Sequence, residues 1–348
     1  MSARSGLSLL VFNITTIEKL MSTSDTHQQL ALEESDLVED GQIVRVTFRG
    51  KVISAQRDKD SGYVHFEPPP IRELTDYYQN EYGIDNPDYY SVDGAYAGPA
   101  KYVANIVEEI CGRLKIEGLL RIHEIGCSFG GVVDELNRRG HVTTGSDINS
   151  VAIEKGRQVK GNSAIFVSHN KDAILGLNKK VDVICASHVL EHDPDCIDVI
   201  RACSHKLSER GFLLVMVPNS MHVRAILEGF LAHPWVAYPD HLHMFSIGSL
   251  ARLCDITGFE PLLVSTHTSF EVDDRNLRRH LSKLADNERM RELWQALFAE
   301  CGLGMELRFV LAPAHGKLAR EHTHKITLAR SKIYAFRAIE QNIRTLAE

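Results

Sequence analysis

Three short stretches of this 348-residue chain carry side chains fit for chemistry. "HEIGCSFGG" (123–131) sets a carboxylate, Glu124, two residues before a glycine-rich turn. "ASHVLEHD" (186–193) gathers His188, Glu191 and His192, and "YPDHLHMF" (238–245) adds His241 and His243. Histidine is the side chain that exchanges a proton near neutral pH, so these four are the candidate bases, with His241 slightly preferred. The first stretch admits two chemistries. Gly126-Cys127-Ser128-Phe129-Gly130 spells G-x-S-x-G, the turn that presents a nucleophilic serine in hydrolases. The same residues form a glycine turn of the kind that lets backbone approach a nucleotide.

Neighbouring residues separate the two. A hydrolase of this type needs an oxyanion loop earlier in the sheet, and no glycine-rich loop precedes residue 123. The nucleotide reading needs a carboxylate at the end of the following strand, about 20 residues on, to accept hydrogen bonds from ribose hydroxyls. Asp147 closes "HVTTGSDI" (141–148), 21 residues after Gly126. A dinucleotide fingerprint, G-x-G-x-x-G, would place glycine where Ser128 stands.

The elements that must position these residues follow a regular alternation. Strands are expected at 118–126, 141–148, 164–168, 181–189, 211–219 and 260–268, with helices between them and a seventh strand at 305–313. That pattern means parallel βαβ units with helices on both faces. The expected fold is α/β, a Rossmann-like doubly wound seven-stranded sheet spanning 100–313 with a helical insert at 270–304. Before it, residues 1–42 are polar, aperiodic and expected to lack order, and 43–99 form an N-terminal strand and helix region. In that region Tyr77, Tyr78 and Tyr82 either pack or close a lid over a ligand. After the sheet, 314–348 carries Ile333, Phe336, Ile339, Ile343 and Leu346 three or four apart, an amphipathic helix. Its default role is packing on the core, and a homodimer contact is the alternative.

A net charge of −7 and the lack of a Lys/Arg-dense run argue against nucleic acid as partner. Seven cysteines form no C-x-x-C pair, which fits a reducing compartment. No apolar run approaches the ~20 residues of a membrane span, so a soluble cytoplasmic protein is expected.

Glu124-Ile-Gly126-Cys-Ser128-Phe-Gly130, Asp147 and "VDVICASHVLEH" (181–192) together resemble the class I S-adenosylmethionine-dependent methyltransferases. "SGYVHFEPPPIRELTDYYQNEY" and "DHLHMFSIGSLARLCDITGF" extend the likeness over about 60–268, toward a branch that modifies sugars and other small metabolites. The resemblance implies that Glu124, Gly126, Cys127, Ser128 and Gly130 hold the amino-acid end of S-adenosylmethionine. It implies Asp147 and Ile148 at the ribose, and Asp172 at the adenine with Asn170 as substitute. Ser187 and His188 would then lie beside the transferring methyl, with His241, His192 and His188 as catalytic candidates. Many relatives open with a Cys-rich zinc module, whereas 43–65 has strands and no cysteine. His188-x-x-Glu191-His192 with a later histidine is similar to the E-x-x-E-H…H cluster of metal-dependent O-methyltransferases. The first position is His instead of Glu, and no metal is expected. The acceptor is expected to be a small hydroxylated molecule. The competing functions are a cofactor-binding scaffold without turnover and a serine hydrolase using Ser128.

Overall fold

The computed structural model describes residues 38–40, 43–48, 51–57, 63–80, 97–161, 163–222, 240–267, 293 and 296–347. An N-terminal group of strands comes first: β1 (Val38–Asp40), β2 (Ile43–Phe48), β3 (Lys51–Arg57) and β4 (Val64–Phe66). Helix α1 (Ile71–Asn80) follows Pro68-Pro69-Pro70, and α2 (Ala97–Leu114) leads into the alternating part. There β5 (Arg121–Ile125), α3 (Gly131–Arg138), β6 (Val142–Asp147), α4 (Ser150–Lys160), β7 (Ile165–Val167), α5 (Asn170–Leu175), β8 (Val181–Ser187), α6 (Cys196–Lys206) and β9 (Leu207–Pro218) succeed one another. The chain ends with β10 (His243–Met244), α7 (Ile247–Thr257), β11 (Phe259–His267), β12 (Glu306–Pro313), α8 (Lys317–Glu321) and α9 (Thr323–Ala347).

The seven expected strands form one sheet in the order β11-β12-β9-β8-β5-β6-β7. Only β12 runs against its neighbours, pairing antiparallel with both β9 and β11. Strand β9 shows why this sheet is internal. Leu213, Val215 and Val217 pack on one face with Ile200, Leu250 and Phe336, from α6, α7 and α9. Phe212, Leu214 and Met216 pack on the other with Val107 of α2 and Leu318 of α8. A strand covered on both faces reads as a continuous apolar run, which is what "GFLLVMV" is.

Two expectations change. Residues 38–40, inside the segment expected to lack order, form a strand. The N-terminal strands are also not a region closed at residue 99. They build a five-stranded antiparallel sheet, β1-β2-β3-β4-β10, whose last strand comes from beyond residue 240. His243 pairs with His65 and Met244 with Val64. Residues 1–37, Tyr82 and most of the 270–304 insert lie outside the described residues. Helix α9 buries Ala329, Ile333 and Phe336 against the sheet, and the Glu340 carboxylate accepts the Ile247 amide at 3.0 Å at the start of α7. It has the packing role. Among the described residues, no helix is long and apolar enough to cross a membrane.

Leu213 is 1% exposed at the middle of the sheet. Leu213→Ala is expected to cost about 2–5 kcal/mol of unfolding free energy, the range for emptying a close-packed leucine site, measured by urea denaturation. A loss well under 1 kcal/mol would mean that this face is not the packed core.

Candidate active site

The chain builds strands outward from β5 through β6 to β7, then returns to place β8 on the other side of β5. At such a reversal the two loops at the strands' carboxyl ends part and leave a crevice. Here β5 opens it with Gly126 and β8 with Ser187, since Ile125 and Ala186 are partners in register. A cavity of about 920 Å³ occupies the place, lined among others by Glu124, Ser128, Asp147, His188, His192 and His241.

The turn after β5 has three left-handed residues in five: Gly126 (φ 66°), Ser128 (φ 49°) and Gly130 (φ 77°). A Cβ on Gly126 would stand 2.3 Å from Val189 Cγ2, so only glycine lets the β5 and β8 loops approach this closely. Ser128 has no such freedom, and its amide donates to Asp147 Oδ2 at 2.8 Å. Asp147 Oδ1 accepts the Asn149 amide at 2.7 Å. Burial pushes the Asp147 carboxyl up, and the amides of Asn149 and Ser128 work against it. A carboxylate has about four acceptor sites, so Asp147 keeps capacity for a hydroxyl beyond these amides. Glu124 is 5% exposed, and its Oε2 has no hydrogen-bond partner. Burial first, then the nearby Asp147, push its carboxyl up to about 8.

Cys127, Ile148, Asp172 and Ser187 also line the cavity. Gly130 does not. It caps α3 in the left-handed conformation, and Gly131 lines the cavity in its place. Asn170 lines it too, but its Nδ2 donates to Asp193 Oδ2 at 2.7 Å.

The four histidines divide sharply. His188 sits between two carboxylates, with Nδ1 3.3 Å from Glu191 Oε1 and Nε2 3.2 Å from Glu306 Oε2. Burial lowers the imidazole, but the two carboxylates outweigh it and carry it up to about 10. A ring charged and engaged at both nitrogens is not a base. Glu306 is itself held, accepting from Arg308 Nε and from the Tyr102 hydroxyl. His243 leaves the site altogether. It is 3% exposed, its Nδ1 shares a 2.5 Å hydrogen bond with the Tyr63 hydroxyl, and its Nε2 lies 2.7 Å from the Asp193 carbonyl. Burial, with His65 stacked beside it, pushes this ring down to about 4. It is a joint between the two sheets.

His192 and His241 remain in the cavity, their ring centroids 4.7 Å apart and edge to face. His192 Nδ1 lies 2.8 Å from the Asp240 carbonyl and 3.1 Å from Asp240 Oδ1. Both partners are acceptors, so Nδ1 carries the proton and the neutral ring has its lone pair on Nε2. Burial lowers this imidazole, and Asp240 and Glu191 more than restore it, leaving it above its ordinary value. Asp240 was invisible in the sequence, where an acid 48 residues from a histidine carries no spacing signal. Glu191, His192 and His241 each bring one nitrogen or oxygen within 4.8 Å of the others. Ser128 Oγ has no hydrogen bond to a histidine among the described residues.

Residues 99–264 match the family described as a methyltransferase domain. A ubiquinone biosynthesis O-methyltransferase of Hahella chejuensis (strain KCTC 2396) is 24% identical over 187 residues, 48% of this chain and 78% of that protein. A protein of the same description from Xylella fastidiosa (strain M23) is 30% identical over 117 residues, 32% of this chain and 47% of that protein. Among solved structures, a SAM dependent methyltransferase from Archaeoglobus fulgidus aligns with 61% of this chain and 93% of its own, at 18% identity and a TM-score of 0.42.

The raised Glu124 carboxyl sets a pH dependence. Its folded value of about 8 lies above the ordinary 4.5, so its contribution to stability is complete below pH 4.5 and is lost as pH rises through 8. Glu124→Gln, which stays neutral, is therefore expected to melt higher than the native chain at pH 8.5, with the gap shrinking toward pH 4.5. A gap independent of pH in thermal scans would show that Glu124 is ionised throughout.

Proposed function

We propose that this chain, whose residues 99–264 form a class I S-adenosylmethionine-dependent methyltransferase domain, transfers a methyl group to the hydroxyl of a small acceptor, a sugar or another hydroxylated metabolite. The observation that carries the acceptor chemistry is the His192–Asp240 pair in the cavity. When bound, S-adenosylmethionine supplies a methyl carbon activated by a sulfonium. The protein's tasks are then to orient the acceptor oxygen, exclude water and remove one proton.

Glu124, Cys127, Ser128, Asp147, Ile148, Asp172 and Ser187 are proposed to hold the cofactor, with Gly126 keeping the turn open. The fit has a physical basis. The unpartnered Glu124 oxygen suits an ammonium group, and the remaining acceptor capacity of Asp147 suits a ribose hydroxyl. His192 Nε2 accepts the acceptor's hydroxyl proton as the oxygen–carbon bond forms and the sulfur–carbon bond breaks. Asp240 steadies the resulting imidazolium and later releases the ring to give its proton to solvent. His241 borders the same space as a ligand of the acceptor, and the charged His188 offers a counter-charge to an oxyanion. The cavity volume leaves room for a cofactor and a small acceptor together, since small-molecule sites run to about 1,000 Å³. The relatives' description as O-methyltransferases supports oxygen as the accepting atom. The acidic balance of the chain disfavours a nucleic-acid acceptor.

Calorimetric titration with S-adenosylhomocysteine addresses the cofactor. Asp147→Ala is expected to weaken binding by about 1–3 kcal/mol, the scale of lost hydrogen bonds to a charged group. Equal affinity in the two proteins would remove Asp147 from the site, and no binding to the folded native chain would remove the cofactor reading. Transfer of radiolabelled methyl to a panel of hexoses, phenols and catechols addresses the base. With any acceptor that turns over, His192→Ala is expected to lower kcat by about 10²–10⁴-fold, the range for general-base catalysis. Dialysis against EDTA is expected to leave the native rate unchanged. A native rate in the variant would end the base assignment, and a loss on dialysis restored by a divalent ion would hand its role to a metal.

A further inference from the structure

Helix α1 roofs the cavity with Ile71, Leu74 and Tyr78. Its root is fixed twice. Pro68-Pro69-Pro70 leaves the chain little freedom before it, and β4, just upstream, is paired to β10. Toward its far end, among the described residues, a side chain from the main sheet's side holds its backbone. Asn149 Nδ2 donates to the Tyr78 carbonyl at 2.8 Å, near the end of the helix. Asn149 is also the residue whose amide binds Asp147 Oδ1 at 2.7 Å, and whose Oδ1 caps α4 through the Ala152 amide at 3.0 Å. A single asparagine therefore joins the proposed ribose acid to the roof.

Tyr78 continues the connection on the acceptor side. Its hydroxyl lies 3.3 Å from Asp240 Oδ1 and 3.4 Å from the Asp240 carbonyl, the two atoms that hold His192 Nδ1. Its ring meets the His192 ring edge to face, with centroids 6.2 Å apart. Moving the end of α1 outward breaks all of these contacts at once. On the reading that Asp147 binds cofactor and His192 removes the proton, we infer that α1 is a lid and Tyr78 a positioning residue. With the Asn149 latch closed, Tyr78 fixes Asp240 and, through it, the ring plane of His192. Cofactor binding at Asp147 and assembly of the base are then one event, and the cofactor enters before the acceptor.

Two variants cut the connection at different points. Asn149→Ser keeps an oxygen able to cap α4 but cannot span the distance to the Tyr78 carbonyl. Tyr78→Phe keeps that carbonyl and the latch, and removes the hydroxyl from Asp240. The readouts, taken with saturating S-adenosylhomocysteine, are hydrogen exchange in 71–80 and the downfield proton on His192 Nδ1. That resonance is identified as the one missing from His192→Asn. In the native chain the ligand is expected to slow exchange in 71–80. Asn149→Ser is expected to lose about tenfold of that protection, the signature of a local opening. Tyr78→Phe is expected to keep the protection and an affinity within about threefold of native. Both variants are expected to move the His192 proton upfield, which a purely packing role for the helix would not do. Native protection in Asn149→Ser, or an unmoved His192 proton in Tyr78→Phe, overturns the inference. Failure of the native chain to bind S-adenosylhomocysteine is a different result. It removes the cofactor reading, and the coupling falls with it.

Discussion

Two hydrogen bonds to one carboxylate organise this site: Asp147 accepts the Ser128 amide on one oxygen and the Asn149 amide on the other. The first ties the turn after β5 to the end of β6. A left-handed serine costs about 1–2 kcal/mol, and a hydrogen bond to a charged group returns about 1.5–3, so the bond outweighs the strain. The second ties β6 to the cap of α4 and, through Asn149, to the helix above the cavity. Replace Asp147 by a residue without an acceptor, and the turn, the cap and the roof lose their common anchor together.

The charges around that anchor are sorted by their neighbours. Glu124 and Glu191 are both buried carboxylates, each less than 10% exposed. Burial pushes both up. Glu124 then faces another carboxylate and rises further, whereas Glu191 faces His188 and His192 and ends below its ordinary value. The histidines diverge in the same way, His188 raised by two acids and His243 lowered by burial beside another histidine. Groups of one type driven apart take different roles. A protonated Glu124 can ionise to meet a cation, an ionised Glu191 holds His188 charged, and His192 is raised by Asp240 and Glu191 against its burial.

Much of this was legible in the chain itself, because it depends on local spacing. The glycine turn, Asp147 and the seven strands follow from short-range patterns, and each lies within a residue or a few of its expected place. What spacing cannot reveal is contact between distant segments. "DHLHMF" reads as one histidine-rich stretch, yet β10 begins only at His243, which pairs with His65 in the joint between the sheets, while His241 precedes the strand and lines the cavity. Asp240 precedes both and had no marker of its own. Gly130 and Gly131 are neighbours in the turn, and only the backbone conformation decides which caps the helix and which faces the cavity. His123 makes the same point in the core. It is a polar residue in mid-strand, made acceptable by Thr144 and Ser146 on β6 at 2.8 and 3.2 Å.

The G-x-S-x-G match shows why partners, more than motif letters, decide chemistry. Ser128 sits in a strained turn between a parallel strand and a helix, the same backbone setting that exposes a hydrolytic serine. A nucleophile elbow uses that strain to lift the hydroxyl toward a histidine. Here the bond that holds the strain runs from the backbone amide to Asp147, and the cavity histidines are oriented by other acids, His192 by Asp240 and His188 by Glu191 and Glu306. Among the described residues no histidine bonds the Ser128 hydroxyl. The strain instead presses backbone against the space where a nucleotide's ligand atoms would lie. On the proposed reading the turn is a cradle, and the proton chemistry belongs to His192, across the crevice beyond the end of β8.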